Sequence, residues 1–223
     1  MTFPPRPVAA LLGGGVESTA LVRNFLSEDR TVVPVHVHCG LIWDDCESRY
    51  VRRFCVAAAC QALLPLVEVR VPLVDFLSGH WAVTGVNVPR AGDASADLEI
   101  PLRNLTLLSF ALYSVKHLGA LALALGTTAE NCYRDGSRAY FDKCQEVLSL
   151  DAGRPIEVLT PLIALSKADV ILKSDSSTLA LSFSCVSPRR DLHCGRCIKC
   201  GRRRAAFRAA NVVDPTTYAT DDP

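Results

Sequence analysis

The sequence predicts an α/β protein with a parallel β-sheet. Short, nearly continuous apolar runs alternate along the chain with segments in which apolar residues recur every three or four positions. The first pattern is typical of strands that are covered on both faces, and the second is typical of amphipathic helices. Because β and α elements alternate, consecutive strands should run in parallel and be joined by right-handed helical crossovers.

The elements follow from these two patterns in chain order. Apolar runs predict strands at residues 8–12, 32–37, 66–71, 120–125 and 156–159. Apolar residues at helical spacing predict helices at residues 18–26, 45–62, 104–118, 138–150 and 167–173. Gly119 stands where a glycine commonly ends a helix. Residues 78–101 are rich in Gly, Pro and Asp, so we expect an irregular loop or lid over a site, outside the core.

Composition indicates an ordinary globular protein. A chain of 223 residues that is 49% hydrophobic and 21% charged can bury a full core. A net charge of +1 gives no overall field that would attract nucleic acid or a membrane surface, so neither is an expected partner. The most apolar stretch, residues 118–125, is too short to cross a bilayer. Several cysteines lie among apolar positions and are interpreted as packing residues in a reducing cytoplasm, namely Cys39, Cys46, Cys55, Cys60, Cys132 and Cys144.

Near the C-terminus, four cysteines have the spacing of metal ligands. Eight, two and two residues separate Cys185, Cys194, Cys197 and Cys200. Two-residue gaps let consecutive thiolates converge on one tetrahedral ion, and four protein ligands leave no position for a catalytic water. We therefore predict a structural zinc site. The alternatives are two disulfides, unrelated free cysteines, or replacement of one sulfur by the adjacent His193.

A run of three glycines follows the first predicted strand. Because glycine has no Cβ, the backbone amides can approach an anion, and the start of the following helix adds positive potential. This predicts a phosphate or pyrophosphate site, to which two hydroxyls would also donate; the alternative is that the glycines serve only the turn. The lysine of phosphate loops and the spaced glycines of dinucleotide sites are absent from this segment, which disfavours kinase and hydride-transfer chemistry. The segment consists of Leu12, Gly13, Gly14, Gly15, Val16, Glu17, Ser18 and Thr19.

The glycine segment resembles the Ser-Gly-Gly-x-Asp-Ser loop of the N-type ATP pyrophosphatases, the PP-loop superfamily. Together with further segments between about residues 8 and 207, it resembles the 7-cyano-7-deazaguanine synthase family as a divergent member. Gly13 and Glu17 replace the usual Ser and Asp, and residues 132–138 differ from the family's usual substrate loop. The further segments are Pro101-Leu102-Arg103-Asn104, residues 126–141, Thr160-Pro161-Leu162-Ile163, Ser166-Lys167-Ala168-Asp169, and the four cysteines with Arg203.

The resemblance implies a Rossmann-like adenine nucleotide alpha hydrolase fold. It implies a PP-loop ATP-binding domain at residues 1–180 and a C-terminal zinc-binding helical segment at residues 181–223 that packs on it. The implied enzyme is a ligase that uses ATP with Mg²⁺, and ammonia, to convert 7-carboxy-7-deazaguanine into 7-cyano-7-deazaguanine, or preQ0, in queuosine biosynthesis. Apart from the resemblance, we expect a cytoplasmic location and a homodimer. Residues 12–19 would bind ATP, Arg103 and Lys167 would be catalytic, and the deazapurine would contact Asn104, Asn131, Asp135 and Phe141.

The chemistry accounts for these residue types. A carboxylate cannot accept ammonia directly, so its oxygen first attacks the α-phosphate of ATP to give an acyl adenylate. Ammonia then displaces AMP, and a second activation of the amide oxygen allows elimination to the nitrile. The protein's role is mainly positioning and charge stabilisation. Arg103 suits a phosphate or the substrate carboxylate, Lys167 suits the α-phosphate, and Glu17 suits Mg²⁺.

Several of these residues have simpler interpretations. Arg103 and Lys167 could be surface charges, and Asn104 and Ser166 could be helix N-caps. One of the two histidines at positions 36 and 38 is expected to point inward as a satisfied core residue. The acids Asp44, Asp45 and Glu47 are interpreted as compensating a helix dipole. A cluster of basic residues surrounds the four cysteines: Arg189, Arg190, Arg196, Lys199, Arg202, Arg203 and Arg204. We expect it to compensate the negative charge of a zinc–thiolate site. The alternative is that Arg203 acts on the active site or on phosphate.

Two other functions compete with the deazapurine ligase. The first is another PP-loop adenylating enzyme that acts on tRNA or protein, for which Cys39 or Cys132 would have to carry sulfur in a thiolase. The second is a catalytically weakened zinc-binding paralogue, which the altered loop and the arginines favour and the neutral net charge disfavours.

Overall fold

A computed structural model describes residues 6–94 and 98–220 and contains a five-stranded parallel sheet. Its strand order is β3-β2-β1-β4-β5, and every neighbouring pair is parallel. The predicted α/β architecture, Rossmann-like and built on a parallel sheet, is confirmed. The strands are β1 (Val8–Leu11), β2 (Val32–His38), β3 (Val67–Arg70), β4 (Ala122–Ala124) and β5 (Glu157–Leu159).

Helices connect and cover the strands. No helix of the described ranges is long and apolar enough to cross a membrane. Short 3₁₀ turns lie at Leu73–Asp75, Lys116–Leu118 and Arg134–Gly136. The α-helices are α1 (Val16–Ser27), α2 (Asp44–Ala57), α3 (Trp81–Thr84), α4 (Arg103–Val115), α5 (Arg138–Ala152), α6 (Lys167–Leu172), α7 (Ser176–Ala180) and α8 (Ile198–Ala209).

The largest boundary error concerns α2, which ends at Ala57 although helical spacing predicts residue 62. The reason is a competing pairing with β2. The Val32 amide donates to the Ala62 carbonyl, and the Leu64 amide donates to the Val32 carbonyl, so this part of the chain already runs beside the sheet. Gly119 has a φ of 72° and ends the 3₁₀ turn that follows α4.

Both faces of the sheet are buried. Along β1, Val8 and Ala10 pack into one hydrophobic cluster, whereas Ala9 and Leu11 pack into the other. Alternate residues of a strand point to opposite faces, so each of the two clusters requires its own layer of helices. This is why the strands are apolar at nearly every position.

The prediction for residues 78–101 is wrong in part. Residues 82, 98 and 100 of this segment are buried apolar side chains, and none of its described residues lines the pocket defined below. Instead, the Ala91 amide donates to the Arg196 carbonyl, and the Ile198 amide donates to the Pro89 carbonyl. The described part of the segment therefore packs on the cysteine-rich region. Residues 95–97 of the segment lie outside the described residues.

The strand order places a crevice between β1 and β4. The chain leaves β1 for β2 on one side, whereas β4 leads to β5 on the other. Ligands of open parallel sheets bind at such a switch point, beyond the carboxyl ends of the strands. Gly126 lies here, immediately beyond β4, and its backbone packs against the start of α1.

We predict that Gly126→Ala destabilises the protein by about 1–3 kcal/mol, the usual cost of overpacking. A Cβ at this position would lie 2.7 Å from the carbonyl carbon of Glu17 and 2.8 Å from the amide nitrogen of Ser18, and backbone atoms cannot move aside cheaply. Urea unfolding followed by circular dichroism measures the effect. Gly13→Ala is the matched control because no atom lies within 4 Å of its Cβ position. Equal unfolding midpoints for the two variants would contradict the prediction.

Candidate functional site

A cavity of about 300 Å³ opens at the crevice between β1 and β4. Its walls come from four parts of the chain: the glycine segment, the start of α4, the residues that follow β4, and the cysteine-rich region with α8. A smaller share comes from α2, α5 and α6. The side chains that carry charge in its lining are Glu17, Glu47, Arg103, Glu130, Lys167, Lys199 and Arg202.

The glycine segment forms the bend that closes one end of the cavity. Gly14 has a φ of 76°, a conformation that other residues rarely adopt, and its carbonyl accepts a hydrogen bond of 2.6 Å from the Phe183 amide. Gly15 is the N-cap of α1 and has no side chain to cover the first amides of the helix. The bend therefore presents backbone amides to the cavity, as an anion site requires.

The structure divides the predicted ATP-binding residues into two groups. Gly13, Gly15, Glu17 and Ser18 line the cavity, whereas the others lie behind it. The Thr19 hydroxyl is buried and donates to the Gly15 carbonyl at 3.0 Å, so the prediction that it donates to phosphate is wrong. The remaining three residues contribute packing or backbone geometry: Leu12, Gly14 and Val16.

Glu17 and Lys167 form an ion pair beside the bend, with Lys167 Nζ 2.8 Å from Glu17 Oε1. Burial alone would raise the pKa of Glu17, but the charge and hydrogen bond of Lys167 outweigh it and hold that pKa below its usual value. Ser166 caps α6 in a capping box with Asp169, as its residue type predicts. The cap fixes the start of α6 and thereby the position of Lys167.

Arg103 begins α4 and lines the cavity. The preceding residue, Leu102, adopts a φ of 60° as the N-cap, so the expectation that Asn104 caps this helix is wrong. Arg103 Nε is buried and, within the described residues, has no hydrogen-bond acceptor. Leaving a buried charged donor unsatisfied is costly, so this atom indicates an anionic ligand in the cavity.

The predicted substrate residues lie on one side of the cavity. Asn104, Asn131 and Phe141 line it, with Phe141 fully buried. Asp135 lies behind them, and its carboxylate accepts a hydrogen bond from the backbone amide of Asn104 at 3.3 Å. Asn131 spans its own loop, because its side chain donates to the Thr127 hydroxyl at 3.0 Å and accepts from the Tyr133 amide at 3.1 Å.

The sequence analysis missed Glu47, Lys199 and Arg202 as cavity residues. Burial raises the pKa of Glu47 to about 8 even though Arg103 opposes the shift, so its carboxyl is mostly protonated at neutral pH. Burial, with the charge of Lys167, lowers the pKa of Lys199 to about 8. In the sequence, Glu47 lies in an acidic cluster at the start of a helix and Lys199 lies in a basic run, and neither pattern indicates a cavity.

The four cysteine sulfurs form a compact cluster, and their ligand atoms all lie within 4.8 Å of one another. Cys185 Sγ is 3.8 Å from Cys197 Sγ, and Cys194 Sγ is 3.9 Å from Cys200 Sγ. A tetrahedral zinc ion with Zn–S bonds of about 2.3 Å separates its sulfurs by about 3.8 Å. All ten cysteines are free, so the disulfide alternative is wrong, and the sulfurs fit a metal site.

His193 is not among the candidate metal ligands, and Arg203 does not line the cavity. His193 is outside the sulfur cluster, and its Nε2 accepts a hydrogen bond from the Ser184 amide at 3.1 Å. Arg203 is fully buried and does not line the cavity, so direct contact with phosphate is wrong. Its guanidinium donates to the hydroxyls of Ser182, at 2.8 Å, and Thr216, at 2.6 Å, and so connects α8 to both flanking segments.

Not all of the remaining cysteines fill the core. Cys60 and Cys132 are exposed and Cys55 is half-buried, so the packing interpretation is wrong for the first two. Cys39, Cys46 and Cys144 are buried, as expected for packing residues.

Comparison with known proteins identifies the family. The model of the family described as "Queuosine biosynthesis protein QueC" matches residues 8–211. The chain belongs to this family. Relatives named 7-cyano-7-deazaguanine synthase include those of Rhizobium etli, 28% identical with 94% of this chain and 90% of the relative covered, and Pyrococcus furiosus, 28% identical with 96% and 97% covered. A third, from Methanothrix thermoacetophila, is 28% identical with 93% and 96% covered.

Membership of the QueC family confirms the resemblance inferred from the motifs. The match spans the glycine bend, the start of α4, Lys167 and all four cysteines, so a single family accounts for both the cavity and the sulfur cluster. The departures at Gly13 and Glu17 therefore occur within the family.

We expect Cys197→Ser to abolish metal binding at the sulfur cluster and to destabilise the protein by several kcal/mol. Metal binding to such clusters contributes on the order of 10 kcal/mol in model peptides, and three ligands retain only part of it. Metal analysis by mass spectrometry and thermal unfolding measure both effects. Cys60→Ser is the control because Cys60 is exposed and outside the cluster. Unchanged metal content relative to wild type, at wild-type stability, in Cys197→Ser would disprove the assignment.

Glu47 should make stability depend on pH. The pKa of Glu47 is about 8 in the folded protein and about 4.3 in the unfolded chain, because burial favours the protonated carboxyl. The stability that this group contributes to the folded state is therefore fully present below about pH 4.3 and is lost as pH rises through about 8. Glu47→Gln cannot ionise, so its stability should increase relative to wild type between about pH 5 and about pH 8. Urea unfolding across this range tests it, with the exposed Glu157→Gln as control. Parallel stability curves for wild type and Glu47→Gln would contradict the prediction.

Proposed function

We propose that this protein is an ATP-dependent carbon–nitrogen ligase that converts 7-carboxy-7-deazaguanine and ammonia into 7-cyano-7-deazaguanine, the queuosine precursor preQ0. The observation that carries the proposal is the cavity itself. It combines a bend of backbone amides with Arg103, Lys167 and Lys199, in a chain of the QueC family. Relatives of this family with nearly full coverage are named for this product.

The glycine bend is the proposed site of the pyrophosphate that leaves ATP. Its amides and the start of α1 face the cavity, and Gly13 leaves open space beside the backbone. Mg²⁺ bound with ATP would supply positive charge that neutralises the phosphates. Glu17 and Ser18 are the oxygen donors at the bend that suit this ion, and Glu17 is ionised because Lys167 lowers its pKa.

The cations on the opposite walls are proposed to hold the reacting groups. The carboxylate oxygen of the substrate attacks the α-phosphorus, the bond to the bridging oxygen breaks, and pyrophosphate leaves. Lys167, held at 2.8 Å from Glu17, is positioned to neutralise charge on the α-phosphate. Arg103 Nε, which is buried without a protein acceptor among the described residues, would donate to the substrate carboxylate or to a phosphate oxygen.

Ammonia then attacks the acyl carbon, and AMP and a proton leave to give the amide. The amide oxygen attacks a second ATP in the same way, and loss of AMP and of both amide N–H protons gives the nitrile. Lys199, whose pKa is about 8, could accept a proton released in these steps near neutral pH. The largely protonated carboxyl of Glu47 would be a hydrogen-bond donor in the same cavity.

The sulfur cluster is proposed to hold a structural zinc ion through Cys185, Cys194, Cys197 and Cys200. Four buried thiolates leave no position for a reacting group, so the ion would supply only a cross-link. This cross-link would fix α8, which carries Lys199 and Arg202 into the cavity. On this view residues 181–223 form a segment that completes the ATP-binding unit of residues 1–180.

Sulfur transfer to tRNA, the alternative chemistry, receives no support from Cys39. This thiol is buried, and burial raises its pKa to about 11, so it is protonated at neutral pH. Homodimerisation, the use of ammonia and a cytoplasmic location stay predictions.

The decisive experiment combines the protein with ATP, Mg²⁺, an ammonium salt and 7-carboxy-7-deazaguanine. We expect AMP, pyrophosphate and 7-cyano-7-deazaguanine, identified by liquid chromatography and mass spectrometry. AMP formation should depend on the acid, and the amide should accumulate early if activation occurs twice. Turnover of ATP without any change in the acid, or no AMP at all, would refute the proposal.

Arg103→Gln should lower kcat/KM by about 10²- to 10³-fold, the usual cost of removing one charge-stabilising donor. Because Arg103 Nε has no acceptor in the described structure, the fold should lose little stability. Arg154→Gln is the matched control, since Arg154 is exposed and outside the cavity lining. Equal kcat/KM values for the two variants would exclude Arg103 from catalysis.

A further inference from the structure

A second group of metal-ligand side chains lies at the carboxyl end of β2, apart from the sulfur cluster. It consists of His36, His38 and Asp44, all of them buried, and the candidate ligand atoms lie within 4.8 Å of one another. None of the three lines the cavity between β1 and β4. The expectation that one of the two histidines points inward is wrong, because both are buried on one face of β2, with ring centroids 4.5 Å apart.

The hydrogen bonds of His36 fix where its lone pair lies. His36 Nδ1 is 2.9 Å from the Leu12 carbonyl oxygen, which can only accept, so Nδ1 carries the proton. His36 Nε2 is therefore an acceptor. It is buried and, among the described residues, no group donates to it. The ring is 1% exposed, and its burial lowers its pKa although the Leu12 carbonyl opposes the shift, so the ring is neutral.

The same reasoning applies to His38. His38 Nε2 is 3.0 Å from Glu68 Oε1. Burial would raise the pKa of Glu68, but hydrogen bonds from Arg52 and His38 hold it below its usual value, so Glu68 is ionised and accepts the proton of Nε2. With the proton on Nε2, Nδ1 is the ring nitrogen that would offer its lone pair to a metal ion. It faces Asp44 Oδ2 at 3.8 Å, too far for a hydrogen bond.

Lone pairs from three side chains therefore converge in a buried space. Within residues 6–94 and 98–220, the one hydrogen-bond donor to these three acceptors is the Gly40 amide, which reaches Asp44 Oδ2 at 2.7 Å. Because Asp44 Oδ2 already accepts from the Gly40 amide, a single water could donate to both ring nitrogens, and it is the alternative to a metal ion. A metal ion accepts electron pairs from all three at once.

We propose that His36, His38 and Asp44 bind a second metal ion, a transition-metal dication for which zinc is the best fit. Two imidazoles and one carboxylate suit zinc and similar ions, whereas Mg²⁺ and Ca²⁺ prefer sites made only of oxygen. The hydrogen bonds to the Leu12 carbonyl and to Glu68 are those that orient metal-bound histidines in other proteins.

The position of the site assigns it a role in shaping the glycine bend. Leu12 immediately precedes Gly13, and its carbonyl is held by His36. An ion that fixes the His36 ring would thus fix the last peptide before the bend and connect it to the start of α2 through Asp44. Burial of the three ligands favours a structural ion at this site. The proposal is independent of the ligase function.

The first test counts metal ions in the full-length protein after incubation with Zn²⁺ and removal of loosely bound ions. We expect two zinc ions per chain in the wild type, and one in His38→Gln and in His36→Gln. His117→Gln, at an exposed position, should keep two and is the matched control. Circular dichroism verifies that each variant is folded. One zinc ion in the wild type, or unchanged zinc content in both folded site variants, would overturn the proposal.

The second test does not depend on the variants folding. A crystal of the wild-type protein soaked in ZnCl₂ should give two anomalous peaks at the zinc edge, one within the sulfur cluster and one within about 2.0–2.2 Å of His36 Nε2, His38 Nδ1 and Asp44. Ordinary water density without anomalous signal at the second position would refute the site. Co²⁺ substitution adds a spectroscopic check, because thiolate-to-cobalt charge-transfer bands should come only from the sulfur cluster.

Discussion

The charge balance of the cavity depends on the ion pair between half-buried Glu17 and buried Lys167, which joins the start of α1 to the start of α6 at 2.8 Å. Lys199 and Arg103 lie in the same cavity, so without Glu17 several cations would repel one another there. Such repulsion is stronger beside protein atoms than in bulk water. The pair therefore lets the protein hold a positive, preorganised cavity, which suits polyphosphate chemistry.

The sulfur cluster and Arg203 determine which residues of α8 reach that cavity. Lys199 and Arg202 are three positions apart, hence on one face of the helix, and that face lines the cavity. Arg203, one position further, turns into the core and donates to Ser182 and Thr216. The sulfur cluster thus contributes to the cavity by orienting a helix that lines it.

Features that depend on short stretches of chain could be predicted. The order of strands and helices, the glycine bend, the Ser166 cap and the spacing of the four cysteines are all local patterns, because backbone propensity and ligand spacing operate over a few residues. Boundaries were less accurate where a tertiary contact competed with local preference, as at residues 58–62, which leave α2 to pair with β2. The sequence pattern indicates that Glu47 compensates a helix dipole, and only the structure places it in the cavity.

The sequence by itself determined the fold class, the family and the candidate ligands of the metal cluster, because periodicity and motif spacing are properties of neighbouring residues. Only the tertiary structure decided which charges meet. Glu17 follows the first strand and Lys167 follows the last, so the two residues are far apart in the sequence and pair only in the folded protein. The raised pKa of Glu47 and the lowered pKa of Lys199 likewise result from burial beside groups that are distant in the sequence. The convergence of His36, His38 and Asp44 has the same origin, since a strand and a helix start must pack together before their lone pairs can face one another.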